Sequence, residues 1–289
     1  MIFVDKIHFT YRTGRDHDQD AGSVRDLIRA VSKLNREFSA EKANCLFYAA
    51  IRSEYLDHPL ISAAELHRTL SAYGTEISWS TFAANFDHPM FEIGARRVDA
   101  MPGNLRFTGR QFMRACFANF TNDDAADFVN STWSKPRDMI RFLRTCKEMF
   151  PNKISLSKSE YQQVFRRSCL FARKEVETAL TSFLTISGVE RVMNLLARGS
   201  TASLETGKVC TPEVFKKDLA PIVKQETQGG SMRQPETLYN LLYMLGAIYT
   251  MRPVAGQRLP IMESFHRNNP NPDPQGFVAI HRAIAKSFA

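Results

Sequence analysis

"MIFVDKIHFTYRTG", residues 1–14, decides how the rest of the chain is read. Ile2, Phe3 and Val4 form a short apolar run that stops on the carboxylate of Asp5, the pattern of a buried strand with an acid at its tip. Next comes "TGRDHDQDAG" (13–22), polar and bounded by glycine, which predicts a loop. "SVRDLIRAVSKLNREF" (23–38) then sets Val24, Leu27, Ile28, Val31, Leu34 and Phe38 at helical spacing. Ser23 is suited to cap that helix, with Asp26 in its first turn. "NCLFYAAI" (44–51) is a second continuous apolar run, consistent with a buried parallel strand, and Arg52 follows its end. Residues 2–51 therefore read as strand, helix, strand, the length of a βαβ crossover.

Beyond this unit a polar, helix-like stretch runs to about residue 74, and "EISW" (76–79) reads as a further short strand. From Pro89 to Phe150 the pattern is helical, closing with "KPRDMIRFLRTCKEMF" (135–150). Pro136 falls in the first turn of that last helix and Asp138 beside it, where a carboxylate complements the helix dipole. Pro151 ends it, which places a domain boundary near Pro151–Asn152 and gives domains 1–150 and 151–289. In the second domain Ser157 and Glu160 have capping-box spacing ahead of a helix over 157–180. Helices over 188–199 and 211–225 follow, then a very apolar one over 235–250. "ESFHRNNPNPDPQGFVAI" (263–280) reads as two strands around a Pro/Asn turn, and "HRAIAKSF" as a closing helix. Helices followed by a hairpin predict a winged-helix-like module.

Composition narrows the function classes. Apolar residues are 44% and charged residues 24% of the chain, ordinary for a globular protein. No run approaches the roughly 20 apolar residues of a membrane helix, so no membrane partner is expected. Cys45, Cys116, Cys146, Cys169 and Cys210 are scattered, form no CxxC pair, and fit a reducing cytoplasm rather than a disulfide framework or zinc site. The histidines form no HxxxH or HExxH pair, and no metal ligand set is expected. The net charge of +8 is lopsided: residues 1–149 hold 20 Lys and Arg against 19 Asp and Glu, while residues 150–289 hold 18 against 11. A basic second half favours polyanionic partners through steering and counterion release. The candidate cations are Arg166, Arg167, Arg173, Lys174, Lys216, Lys217 and Arg267.

At "TWSKPRDMIRFL" (132–143) the chain resembles bacterial P-loop ATPases of the KAP/STAND-like kind, in which a Pro-Arg-Asp turn opens a helix of the lid. The resemblance continues in order. "IFVDKIHF" is similar to the family's Walker-B strand and "CLFYAAIRSEYL" to the strand after it. "LYNLLYMLGAIYT" and "IHRAIAKSF" are similar to its C-terminal winged-helix region. The implied fold class is α/β followed by mostly α: a partial P-loop NTPase-like parallel sheet with a helical lid, then a winged-helix-like domain. By the same resemblance Asp5 would match the metal-associated carboxylate, Arg52 a polar residue near the γ-phosphate, and Arg137 a lid arginine that reaches the phosphates. Such groups would stabilise charge on a transferring phosphoryl group.

The departures limit what the resemblance implies. Lys6 and His8 stand where the family has acidic residues after the Walker-B aspartate. No GxxxxGK[ST] loop occurs in the sequence; in "GSTASLETGKV" (199–209), which reads as a loop, Lys208 is followed by Val209. Without backbone amides to cradle phosphates, the chain alone is not expected to be catalytic, and no catalytic residue is assigned. The leading expectation is a non-hydrolysing or split ATPase-family subunit of a bacterial complex, of a kind found in antiphage defence. ATP and Mg would bind only with a completing partner, through protein association or self-assembly. The alternatives are a nucleic-acid-binding winged-helix module without nucleotide chemistry, and an ATPase completed by a phosphate loop from another chain or an N-terminal segment.

Overall fold

The computed structural model describes residues 2–4, 15–51, 61, 64–75, 84–99, 107–133, 135–206, 210–227, 234–252, 261–264, 269 and 271–288. Asp5, Arg52, Arg267 and the strand expected at 76–79 lie outside them. The chain divides into two compact units, Met1–Ile77 and Ser78–Ala289.

In the first unit β1 (Ile2–Val4) and β2 (Phe47–Ala49) pair in parallel, Val4 opposite Ala49, joined by α1 (Arg15–Ala40); α2 (Ala64–Tyr73) packs on α1. The βαβ crossover is present, but two corrections apply to the expected α/β half. Among the described residues the parallel sheet has two strands, so an extended P-loop-type sheet is not what the structure supports. The helix also starts at Arg15 rather than after Ser23. Asp16, Asp18 and Asp20 make this stretch look like a polar loop, yet acids in the first turns suit the positive end of a helix. Ser23 sits mid-helix, its hydroxyl donating to the Gln19 carbonyl at 3.1 Å. Val24, Ile28, Ile61 and Leu66 form the small core. Asn35 closes one edge of β2: its amide donates to the Phe47 carbonyl at 2.9 Å and accepts from the Phe47 N–H at 2.8 Å. Tyr48 points outward, so β2 is not a strand buried on both faces.

The second unit is mostly helical. Its first layer holds α3 (Pro89–Asp99), α4 (Gly109–Cys116), α5 (Asn122–Asn130), α6 (Pro136–Met149) and α7 (Lys158–Leu180). Phe91, Phe117, Phe120, Phe128, Phe142, Tyr161 and Phe165 cluster at its centre, several pairs meeting edge to face and Tyr161 stacking on Phe165. This core crosses Pro151. Phe142 on α6 lies 5.6 Å from Tyr161 and 6.0 Å from Phe165 on α7, measured between ring centroids. Leu156, in the connection, exchanges backbone hydrogen bonds with Cys116 and Ala118. The two helices on either side of the expected boundary thus share one hydrophobic interior. The expected capping box of α7 is present, with Ser157 and Glu160 each bonded to the other's backbone N–H.

The second layer holds α8 (Ile186–Thr206), α9 (Pro212–Glu226), α10 (Pro235–Met244), β3 (Ile248–Arg252), β4 (Ile261–Glu263), β5 (Phe277–Ile280) and α11 (Arg282–Lys286). Three expectations are corrected here. Residues 199–206 are helical, a continuation of α8. The apolar helix over 235–250 stops at Met244, because Gly246 turns the chain at φ 70° into β3. The strands flanking the Pro/Asn turn are not paired with each other: the antiparallel sheet has the order β4-β3-β5. Cys210, between α8 and α9, adds an antiparallel bridge to Val278 on the open side of β5.

Candidate functional site

The stretch Thr132–Leu143 builds the join between the two layers of the second unit. Lys135 precedes α6 without a side-chain cap, and Pro136 occupies the first helical position, where no N–H is needed. Asp138 reaches back to accept the Trp133 N–H at 3.0 Å, fixing the entry of the chain. Burial pushes the Asp138 carboxyl above its ordinary range, against the opposing pull of Lys135, the Trp133 N–H and Arg137. The indole of Trp133 is buried and donates to the Gly246 carbonyl at 3.0 Å, in the turn between α10 and β3. His281 lies 6.3 Å from that indole, and its Nδ1 accepts the Ala283 N–H at 3.2 Å to start α11.

Arg137, the expected lid arginine, is half exposed and held by Glu175 of α7 at 3.0 Å, the same carboxylate that takes Arg141 at 2.5 Å. A shallow cleft beside this triad encloses about 400 Å³, part of it open solvent, with Asp138, Arg141, Phe165, Ser168, Cys169 and Phe171 among its walls. Burial pushes the Cys169 thiol up to about 12, so it carries no nucleophilic thiolate at neutral pH. Buried in the same wall, the Ser131 hydroxyl has no hydrogen-bond partner among the described residues. Among those residues no group of three His, Cys, Asp or Glu could hold a metal ion. The charged groups here are Arg137 and Arg141, both paired with Glu175. The motif points to Arg137 but not to Glu175, which lies 38 positions away from it.

The candidate cations separate into two groups. Arg173 bonds Glu177 at 2.7 Å, with its guanidinium 4.7 Å from the centre of the Phe288 ring. Lys216 bonds Glu236 at 2.6 Å and lies over Tyr239. These two serve internal contacts. Arg166, Arg167 and Lys174 on α7, and Lys217 on α9, are exposed and have no ion-pair partner among the described residues.

The start of α7 gives a pH test. The Lys153 ammonium and the Ser157 N–H hold the Glu160 carboxyl at about 2, below its ordinary 4.5. A depressed carboxylate contributes stability above its unfolded value, and that contribution is lost as pH falls through the folded value. Lowering pH from about 5 to about 2 is therefore expected to lower the melting temperature less in Glu160→Gln than in the parent chain. Equal pH dependence in the two would contradict the cap.

No helix among the described residues is long and apolar enough to cross a membrane. Comparison with protein-family models, curated proteins and solved structures gives no match.

Proposed function

We propose that the chain is a split ATPase-family subunit: it supplies a helical lid and a winged-helix surface to a nucleotide site completed by a partner protein. The observation that carries this reading is the connectivity of the second unit. Three helices, α8, α9 and α10, precede a small antiparallel sheet whose last strand returns to bridge Cys210 between the first two of those helices. That arrangement is what a winged-helix module requires, and it follows the Pro-Arg-Asp helix in the order that the resemblance implies. Trp133 and Gly246 join the two parts directly.

The winged-helix reading favours protein contact over groove reading. A helix that reads DNA presents polar and basic side chains near its N-terminus to base edges. The corresponding helix, α10, buries Leu238, Tyr239, Leu241, Leu242 and Tyr243, and its one charged residue is Glu236. A carboxylate there repels phosphate.

In the first unit, the parallel register puts the carboxyl ends of β1 and β2 at one edge, and in open α/β sheets ligands gather outside such ends. Asp5 follows the first of these ends by one residue and Arg52 the second by three. ATP with Mg is the ligand that this reading assigns, held only when a partner contributes the phosphate-cradling loop. The test is ATP turnover by the complex of this chain with its partner. Arg137→Ala is expected to lower that turnover about 10- to 1000-fold, the range for losing one charge-stabilising group. Glu175→Gln, which releases Arg137, is expected to retain it. Turnover indifferent to Arg137→Ala would contradict the lid role.

A further inference from the structure

We infer that the outer face of α7 binds a single strand of nucleic acid, a surface separate from the winged-helix array. Arg167, Phe171 and Lys174 follow at i, i+4 and i+7, so they share one strip of the helix. The helical rise puts the two cations about 10 Å apart along the axis, with the aromatic ring between them. Arg166 and Leu170 widen the strip on its other side. All three cations are exposed and have no ion-pair partner among the described residues, whereas Arg173, on the same helix, is committed to Glu177.

Phe171 is 41% exposed and Leu170 39%, although most of the aromatic residues on α6 and α7 are buried. An apolar ring left in solvent between two free cations is the combination that holds a strand: phosphates on the cations, an unstacked base on the ring. Phe171 also forms part of the cleft wall. The charge of the whole unit is complementary: residues 78–289 hold 28 Lys and Arg against 19 Asp and Glu. Residues 1–77 hold 10 against 11. A single strand is favoured over a duplex because paired bases offer no free face to Phe171, and α10 offers no basic groove-reading helix.

The test is fluorescence anisotropy with a labelled oligothymidylate of about 20 nucleotides and a duplex of the same length, across roughly 50 to 200 mM salt. The full chain is expected to bind the single strand more tightly, with affinity falling linearly on logarithmic axes. Arg167→Glu with Lys174→Glu is expected to weaken binding more than ten-fold and to flatten the salt slope by about 0.7 for each phosphate that is no longer neutralised. Phe171→Ala is expected to weaken it roughly ten-fold at unchanged slope, because stacking releases no counterions. Arg167→Ala with Lys174→Ala, a milder change, should flatten the slope similarly, and circular dichroism melts identify any variant that has lost its fold. Absence of binding at low salt, preference for the duplex, or indifference to both double substitutions in folded protein would overturn the assignment.

Discussion

Phe142→Ala is expected to destabilise the Ser78–Ala289 unit by about 3–5 kcal/mol, the range for deleting a buried aromatic ring. In a unit of this size that corresponds to a fall in melting temperature of about 6–20 °C. The reason is position as well as burial. Phe142 is 1% exposed, and its ring centre lies 4.9 Å from Phe128, 5.5 Å from Phe117 and 5.6 Å from Tyr161. One side chain therefore touches α5, the end of α4 and α7, and no single neighbour can collapse into the space. Phe142→Leu keeps most of the volume and is expected to cost about a third as much. Thermal melts followed by circular dichroism check both. A loss below about 1 kcal/mol for the alanine variant would mean that the helices on either side of Pro151 do not share a core.

Trp133→Phe is the second large effect expected, and it removes one buried hydrogen bond. The substitution keeps an aromatic ring against His281 but removes the indole N–H from the Gly246 carbonyl. A buried carbonyl left without its donor costs about 1–3 kcal/mol, and the smaller ring adds a packing loss. Because Gly246 sets the turn from α10 into β3, the loss should appear as faster amide exchange in β3 and β5 as well as a lower melting temperature. Protection of β3 and β5 equal to the parent chain would contradict the coupling of the Thr132–Leu143 stretch to the sheet. Phe142 and Trp133 thus probe different joins, one within the aromatic layer and one between that layer and the sheet.

Several features were legible because local chemistry decides them. Pro136 and Asp138 mark the start of α6, and Ser157 with Glu160 marks that of α7, since the groups that cap a helix lie within a few positions of its end. The parallel pairing of β1 with β2 followed from two apolar runs separated by a helix-length segment. The failures have equally specific causes. Residues 241–249 carry no polar side chain except the Tyr hydroxyls, so periodicity could not separate α10 from β3, and only the conformation of Gly246 does so. The acids at 16, 18 and 20 suit both a loop and a helix start. Hairpin chemistry in the Pro/Asn turn suggested that β4 and β5 pair, whereas β3, some ten residues upstream of β4, lies between them. Of the candidate site, Arg137 was legible through its motif, while Glu175 was visible only once the fold brought α7 beside α6. The i, i+4 spacing of Arg173 to Glu177 is readable in the sequence, whereas nothing in the order of residues shows that Lys216 is used internally and Arg166, Arg167 and Lys174 are not. That distinction depends on which face of each helix turns outward.

The most direct test of the central claim is Mg-ATP turnover by the chain recovered from its native source through an affinity tag. It should be measured before co-purifying chains are stripped with salt, after stripping, and again when they are restored. Turnover is expected in the intact complex, with loss to the buffer level in the stripped chain and recovery on recombination. Turnover retained by the stripped chain, or absent from every complex that it forms, would contradict the reading of a subunit that completes a partner's nucleotide site.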